Sequence, residues 1–256
     1  MGSQSCSSNI NAAVTTQLLL TLFRIGGVVH FGVAGNANPG LNLGDVTIPF
    51  QWSHSALWSW QRYGKGPKDE LPLESSGDFT RAIGYLKFSD YTVSHLRPTF
   101  DNLLNNVWYQ PEEIFPVDGT PEVRQHAFWL NVDPHYFEVS KKLVNFKLQR
   151  CINSTACLPT TPKVAIVERG TSGSIYLDNE AYRNFLAHKF RVSPVDMESA
   201  SVALVCFQQM APFIAVRALS DLAGGDSKVP AEVETFASKL SAYNAAKVVV
   251  ELVREI

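Results

Sequence analysis

The sequence predicts an α/β fold in which a central sheet is covered by helices on both faces. Two patterns and one bulk property carry that prediction. Apolar runs of strand length stand at 27–33, 164–167 and 213–219. Helical patterns alternate with them at 11–23, 179–189, 195–209 and 230–256, and that alternation is the mark of a sheet buried on both sides. At 256 residues, with 45% apolar and 18% charged content, the chain is long enough to bury such a core and too apolar to be disordered.

Residues 1–10 are Ser-rich and predict a disordered N-terminus ahead of a single domain over 11–256. Residues 11–23 read as a helix with Ala12, Leu19 and Phe23 on its apolar face. The run 27–33 reads as a buried strand ending in a glycine-rich turn, Gly32-Val33-Ala34-Gly35-Asn36-Ala37-Asn38-Pro39-Gly40. A second short strand covers 45–49 and is ended by Pro49, because proline cannot donate to a sheet ladder. Residues 51–162 differ in character. They hold all five tryptophans and several prolines, and they read as a large loop-rich insertion packed on one edge. A separate second domain is the alternative, although no linker sets one off. Regular patterning resumes with a strand at 164–167 and a helix at 179–189, with Tyr182, Phe185 and Leu186 as its apolar positions. Pro194 then opens an apolar helix over 195–209. A buried strand over 213–219 ends at Ser220-Asp221, and an amphipathic helix fills 230–256.

The net charge of −2 offers no basic field for nucleic acid or an anionic membrane. The longest apolar runs, such as 202–207, are too short to span a bilayer. No metal site is read from the sequence. Among the four cysteines, Cys206 lies in an apolar run and reads as a small buried hydrophobe. Cys151 and Cys157 bracket a short loop that contains the glycosylation triplet Asn153-Ser154-Thr155. Together they suggest a secretory history with a local disulfide; two free thiols and a chance triplet are the alternative. Residues 1–11 are polar and lack the apolar core of a signal peptide, so the loop and the start of the chain disagree about compartment.

Ligands of open α/β sheets bind beyond the carboxyl ends of strands, and three motifs occupy such places. The glycine-rich turn lets backbone approach an anion or a sugar, or is simply a tight turn. Val195-Asp196-Met197-Glu198-Ser199-Ala200 puts two carboxylates at the start of an apolar helix, where free N–H groups favour them. They either accept hydrogen bonds from sugar hydroxyls or serve as a cap and a solvated first-turn acid. In Arg217-Ala218-Leu219-Ser220-Asp221-Leu222-Ala223-Gly224-Gly225, Asp221 follows a buried strand. A carboxyl group placed there is suited to protonate a leaving group, or is a turn aspartate.

Singly these motifs are unspecific. In order and spacing, Gly32-Val33-Ala34-Gly35-Asn36, Leu43-Gly44-Asp45-Val46, Val195-Asp196-Met197-Glu198 and Arg217-Ala218-Leu219-Ser220-Asp221 resemble the motif series of nucleoside phosphorylases and methylthioadenosine nucleosidases. The resemblance spans nearly the whole chain outside 51–160. That insertion is similar to plant bark storage or vegetative storage proteins in Trp60-Gln61-Arg62-Tyr63-Gly64 and over 85–91 and 102–110. The resemblance implies a three-layer αβα mixed sheet and cleavage of a nucleoside N-glycosidic bond through an oxocarbenium-like transition state. It casts Asp221 as the purine-facing acid, Glu198 as the ribose-hydroxyl acceptor and Met197 as the wall beneath the sugar. Tyr176 becomes the ring stacked on the base, and Gly35 and Ser220 become substrate-binding residues. It implies no cofactor, inorganic phosphate as a candidate co-substrate, and a purine nucleoside or adenine-like molecule as ligand. It further implies a homo-oligomer and a secreted or vacuolar location.

Two departures qualify this. The family's phosphorylases carry a serine where this chain has Val33, and valine cannot donate a hydrogen bond to phosphate. The family also begins with a strand–turn–helix–strand segment bearing its water-activating carboxylate or phosphate loop. Little of that fits within the first ten residues, so an N-terminally truncated and weak catalyst is expected, with an apolar sheet edge laid open. Three readings stay open: an enzyme on purine nucleosides, a binder of adenine or cytokinin-type purines, and a nitrogen-storage protein with a vestigial pocket.

Overall fold

A computed structural model describes residues 9–60, 83–87, 106–120, 124–225 and 231–256. The stretches 61–64, 88–91 and 102–105, which bear part of the plant-type likeness, lie outside the described residues, as do residues 1–8. Along the chain stand α1 (Asn9–Leu22), β1 (Val28–Asn36), β2 (Val46–His54), β3 (Trp58–Trp60), β4 (Tyr85–Lys87), β5 (Asn106–Tyr109), β6 (Glu112–Ile114), β7 (Gln125–Ala127) and β8 (Leu130–Asn131). These are followed by α2 (Pro134–Ser140), β9 (Val164–Ser172), α3 (Glu180–Phe190), β10 (Val192–Asp196), α4 (Ser199–Gln208), β11 (Phe213–Leu222) and α5 (Ala231–Glu255).

Six strands form a mixed sheet in the order β11-β1-β10-β9-β2-β8. The β1–β11, β9–β10 and β2–β9 pairs are parallel, and the remaining pairs are antiparallel. β2 also pairs with β11, at Thr47↔Arg217 and Val46↔Ala218, so five of the strands close into a ring. β11 is buried along its first eight residues, as a strand covered on both faces must be. Val202, Ala203 and Cys206 of α4 and Ala245, Val248 and Leu252 of α5 join its Ile214, Val216 and Ala218 in one core. Each valine, leucine or isoleucine among them contributes about 1.5–3 kcal/mol on leaving water.

Several predicted boundaries move. Helix α1 starts at Asn9, so Asn9 and Ile10 are ordered helix rather than loose tail. β1 runs on through Gly32-Val33-Ala34-Gly35-Asn36, which is therefore strand and not turn, and most of it is only half-buried. Pro49 lies inside β2 rather than at its end. It is paired with Val167 of β9 on one side, and on the other it falls between the positions paired with β11 and those paired with β8, where no partner is set against its missing N–H. Pro194 opens no helix: it sits in β10, beside a break in the ladder to β9, and α4 starts only at Ser199.

The region after β2 makes its own small sheets, β3-β5-β4 and β6-β7. It seats on α3 through aromatics. The Tyr109 ring stacks on Phe185 with centroids 6.2 Å apart, and its hydroxyl lies 2.9 Å from that of Tyr182. Cys151 and Cys157 are bonded across an isolated antiparallel bridge. Between them Asn153 is exposed, and its Oδ1 accepts from the backbone N–H groups of Thr155 and Ala156. Cys206 is a buried free thiol, whose pKa burial pushes up to about 12.

Candidate active site

A pocket of about 660 Å3 opens where the carboxyl ends of β1, β10 and β11 meet. Gly35, Tyr176, Met197, Glu198, Ser220 and Asp221 all border it, with Val33, Ile175, Leu177, Val195 and Ala223 as apolar wall. Three motifs far apart in sequence thus reach one cavity, because β1 lies between β11 and β10 in the sheet.

The β1–β11 register slips between Ala34 and Gly35, which brings Gly35 opposite Asp221. Asp221 is the ninth residue of β11 and not the first of a loop. The Ser220 hydroxyl donates to its Oδ1 at 2.5 Å. A Cβ on Gly35 would stand 3.0 Å from that of Ala223 and 3.5 Å from the Asp221 Oδ2, so the glycine keeps the backbone close to this carboxylate. The loop after Asp221 is tied down by the buried Arg183 of α3, whose Nη1 donates to the carbonyls of Ala223 (2.9 Å) and Gly225 (3.2 Å). Tyr176 precedes α3 at the pocket rim and is 79% exposed, so its ring faces water rather than a closed slot.

In the Asp196-Met197-Glu198 segment, Asp196 takes the helix-cap role that was one of its two sequence readings. Asp196 ends β10 and caps α4 from outside: its Oδ1 accepts the N–H groups of Glu198 and Ser199, each at 3.1 Å. The Ser172 hydroxyl donates to the same carboxylate and takes up the Ala200 N–H. Asp196 is buried against Arg217, with Nε 2.7 Å from Oδ2. Burial alone would raise the Asp196 pKa; Arg217 first, then Ser172 and Ser199, outweigh it and hold the group below its ordinary value. Glu198 is the half-exposed member of the pair, and its Oε2 stands 3.4 Å from Nη2 of the same arginine.

Two residues of this assembly carried no role in the sequence reading. Arg217 is 4% exposed and joins Asp196, Glu198, Ser199 and the Val33 carbonyl. A charged residue in the middle of a buried strand demands carboxylate partners, and that was the available signal. His30 of β1 touches the same guanidinium. A lone polar ring in the run Val28-Val29-His30-Phe31-Gly32 was the corresponding hint. Gly32 is needed here, since a Cβ would collide with the Arg217 guanidinium.

The charged groups that border the pocket are Asp196, Glu198 and Asp221; no cationic side chain is among its described lining residues. The Arg217 guanidinium beside them is already committed to two of the three carboxylates. No group of three or more metal-ligating side chains occurs among the described residues.

A model of the phosphorylase superfamily matches residues 7–254. Bark storage protein A of Populus deltoides is 30% identical over 241 residues, which are 93% of this chain and 68% of that protein. A 5'-methylthioadenosine/S-adenosylhomocysteine nucleosidase of Mycobacterium bovis is 27% identical over 239 residues, 92% of this chain and 74% of that protein. Among solved structures, the nucleosidase of the same name from Neisseria meningitidis, in complex with methylthio-immucillin-A, gives a TM-score of 0.59 at 20% identity. That match covers 97% of this chain and 78% of the other. The one from Colwellia psychrerythraea, in complex with adenine, gives 0.60 at 18% identity and covers 98% and 76%. At such identities the likeness is one of fold: a mixed α/β sheet with its helices.

Proposed function

The chain belongs to the phosphorylase superfamily, and from that membership we propose that it cleaves the N-glycosidic bond of purine nucleosides, with water as the acceptor. The observation that carries this reading is the meeting of Gly35, Met197, Glu198, Ser220 and Asp221 on one pocket whose charged walls are carboxylates. Glu198 accepts hydrogen bonds from the sugar hydroxyls, and Met197 lies beneath the ring. Positive charge that develops on the sugar is stabilised by the surrounding carboxylates. As the C–N bond breaks, its electron pair leaves with the base, and the purine takes up a proton by way of Asp221, which recovers it from solvent. Water adds to the anomeric carbon and gives its second proton back to solvent. Relatives that act on methylthioadenosine, and one structure that holds adenine, support a purine as the ligand.

Phosphate fits poorly beside these groups. Val33 offers it no donor, and an anion would face three carboxylates with no uncommitted described cation to offset them. The initial rate on methylthioadenosine is therefore expected to be the same with saturating phosphate as without it. A strict phosphate requirement would refute the choice of water. Turnover is expected to be slow, because Asp196 is locked in its ion pair and Glu198 faces Arg217, so neither is a ready base for water.

That slowness, together with the exposed rim tyrosine, favours a second reading in which the pocket holds adenine without turnover. Calorimetric binding of adenine with no detectable release of base from any nucleoside would establish it. We also place the protein on the secretory route, with a glycan on Asn153 in the loop closed by Cys151 and Cys157. Opening a loop this short costs about 2 kcal/mol by its chain entropy. Reduction should accordingly lower the melting temperature by about 4–8 °C; no shift in scanning calorimetry would show that the bond is absent or unimportant.

A further inference from the structure

His30 lies beneath the pocket and outside the reaction described above. Its Nδ1 is 3.2 Å from Ser199 Oγ. Arg217 Nη2 stands 3.3 Å from both ring nitrogens. Proton counting fixes the tautomer. The single proton of the Ser199 hydroxyl goes to Asp196 Oδ2, 2.5 Å away, and the same oxygen accepts from Arg217 Nε. The oxygen can therefore only accept from His30, so Nδ1 carries the proton, while Arg217 Nη2, equidistant from Nδ1 and Nε2, lies against the imidazole. Loss of water around the ring and the neighbouring guanidinium push the His30 pKa down to about 3, so it is neutral at ordinary pH. The second hydrogen on Nη2 points the arginine at Glu198 Oε2. The imidazole thus donates to Ser199, whose oxygen shares the single Arg217 Nε hydrogen with Asp196 Oδ2, and it packs against Nη2; these contacts together set the plane of the guanidinium.

We propose that His30 is a positioning residue for sugar recognition: it fixes the Arg217 guanidinium so that the Glu198 carboxylate is held at the pocket wall where sugar hydroxyls bind. This rests on the reading of the pocket as a nucleoside site. It has a signature that a merely structural role lacks, because Glu198 meets the sugar and not the base. Disturbing His30 must weaken a nucleoside and spare the free base.

The test is calorimetric affinity for adenosine and for adenine in the wild type, His30→Phe, His30→Gln, Glu198→Gln and the Phe/Gln double variant. Phenylalanine fills the space with no donor or acceptor, whereas glutamine can still donate to Ser199. His30→Phe is expected to weaken adenosine at least about tenfold, the loss of one charge-assisted contact, with adenine changed less than twofold. His30→Gln should recover most of that loss and keeps the comparison available if the phenylalanine variant misfolds. In the Glu198→Gln background His30→Phe should add nothing further. Equal weakening of adenosine and adenine, no weakening of either, or full additivity with Glu198→Gln would overturn the proposal. Failure of the wild type to bind either compound would instead overturn the nucleoside reading, and the proposal with it.

Discussion

Asp221→Asn should lower kcat on methylthioadenosine by about 10²–10⁴, the usual effect of removing a general acid. Asparagine has the same shape, and its amide oxygen still accepts the hydrogen bond from Ser220. Its neighbours Gly35 and Ala223 are undisturbed, so the melting temperature should stay within about 2 °C, as for isosteric changes outside the core. What is lost is the proton for the departing purine. The substitution should also weaken adenine, because the ring nitrogen loses its partner. Unchanged turnover would remove Asp221 from the chemistry. Unchanged adenine affinity would remove it from the base site and require the pocket assignment to be withdrawn.

Arg217→Met should destabilise the fold by about 3–5 kcal/mol, the cost of leaving a buried carboxylate without its cation. The methionine keeps much of the apolar volume, so the loss is electrostatic; denaturant unfolding measures it. The effect has a definite pH dependence. In the wild type the Asp196 pKa lies below its ordinary 3.8. Its stabilisation is therefore complete above about 3.8 and drains away as pH falls through the folded value. Without Arg217 the same carboxyl is governed by burial, which raises its pKa, so acid relieves the variant instead of harming it. The stability gap between the two proteins should be widest near neutrality and narrow below about pH 4. A gap that widens on acidification would show that Asp196 is not the carboxylate at risk. His30 adds to the acid sensitivity of the wild type: its pKa is depressed from 6.5 to about 3, so the unfolded chain gains a proton first and stability falls across that window.

The residues that line the pocket were legible because they come in short runs whose order along the chain mirrors their places at strand ends. Val164–Ser172 and Phe213–Leu222 were foreseen as strands for the same reason, although both run several residues further than their apolar runs. Polar residues at strand ends, such as Thr171, Ser172, Ser220 and Asp221, continue each strand beyond the apolar run that announced it. Pro194 misled because proline is common at a helix start; nothing local reveals that a neighbouring strand skips its position. The motif resemblance singled out Glu198 over Asp196 without a physical reason. The fold supplies one, by burying Asp196 against Arg217 and leaving Glu198 at the pocket wall. The lone ring of His30 was a hint without a role, because that role depends on Ser199, 169 residues away.

The seam between β1 and β11 has a consequence for how the protein is made. Ser220 and Ala34, hydrogen-bonded across it, are 186 residues apart. β11 inserts between β1 and β2, strands translated long before it, and it carries both Asp221 and the guanidinium that neutralises Asp196. Until it arrives, the early strands have an unfilled place between them and Asp196 has no cation. Pairings of such long range are slow to form, because the entropy of closing the loop comes before any contact rewards it. The nascent chain therefore has no complete pocket at any intermediate length, and a ligand of that pocket cannot act as a template for the early strands. Ligand present during refolding should leave the rate of folding unchanged and slow only unfolding.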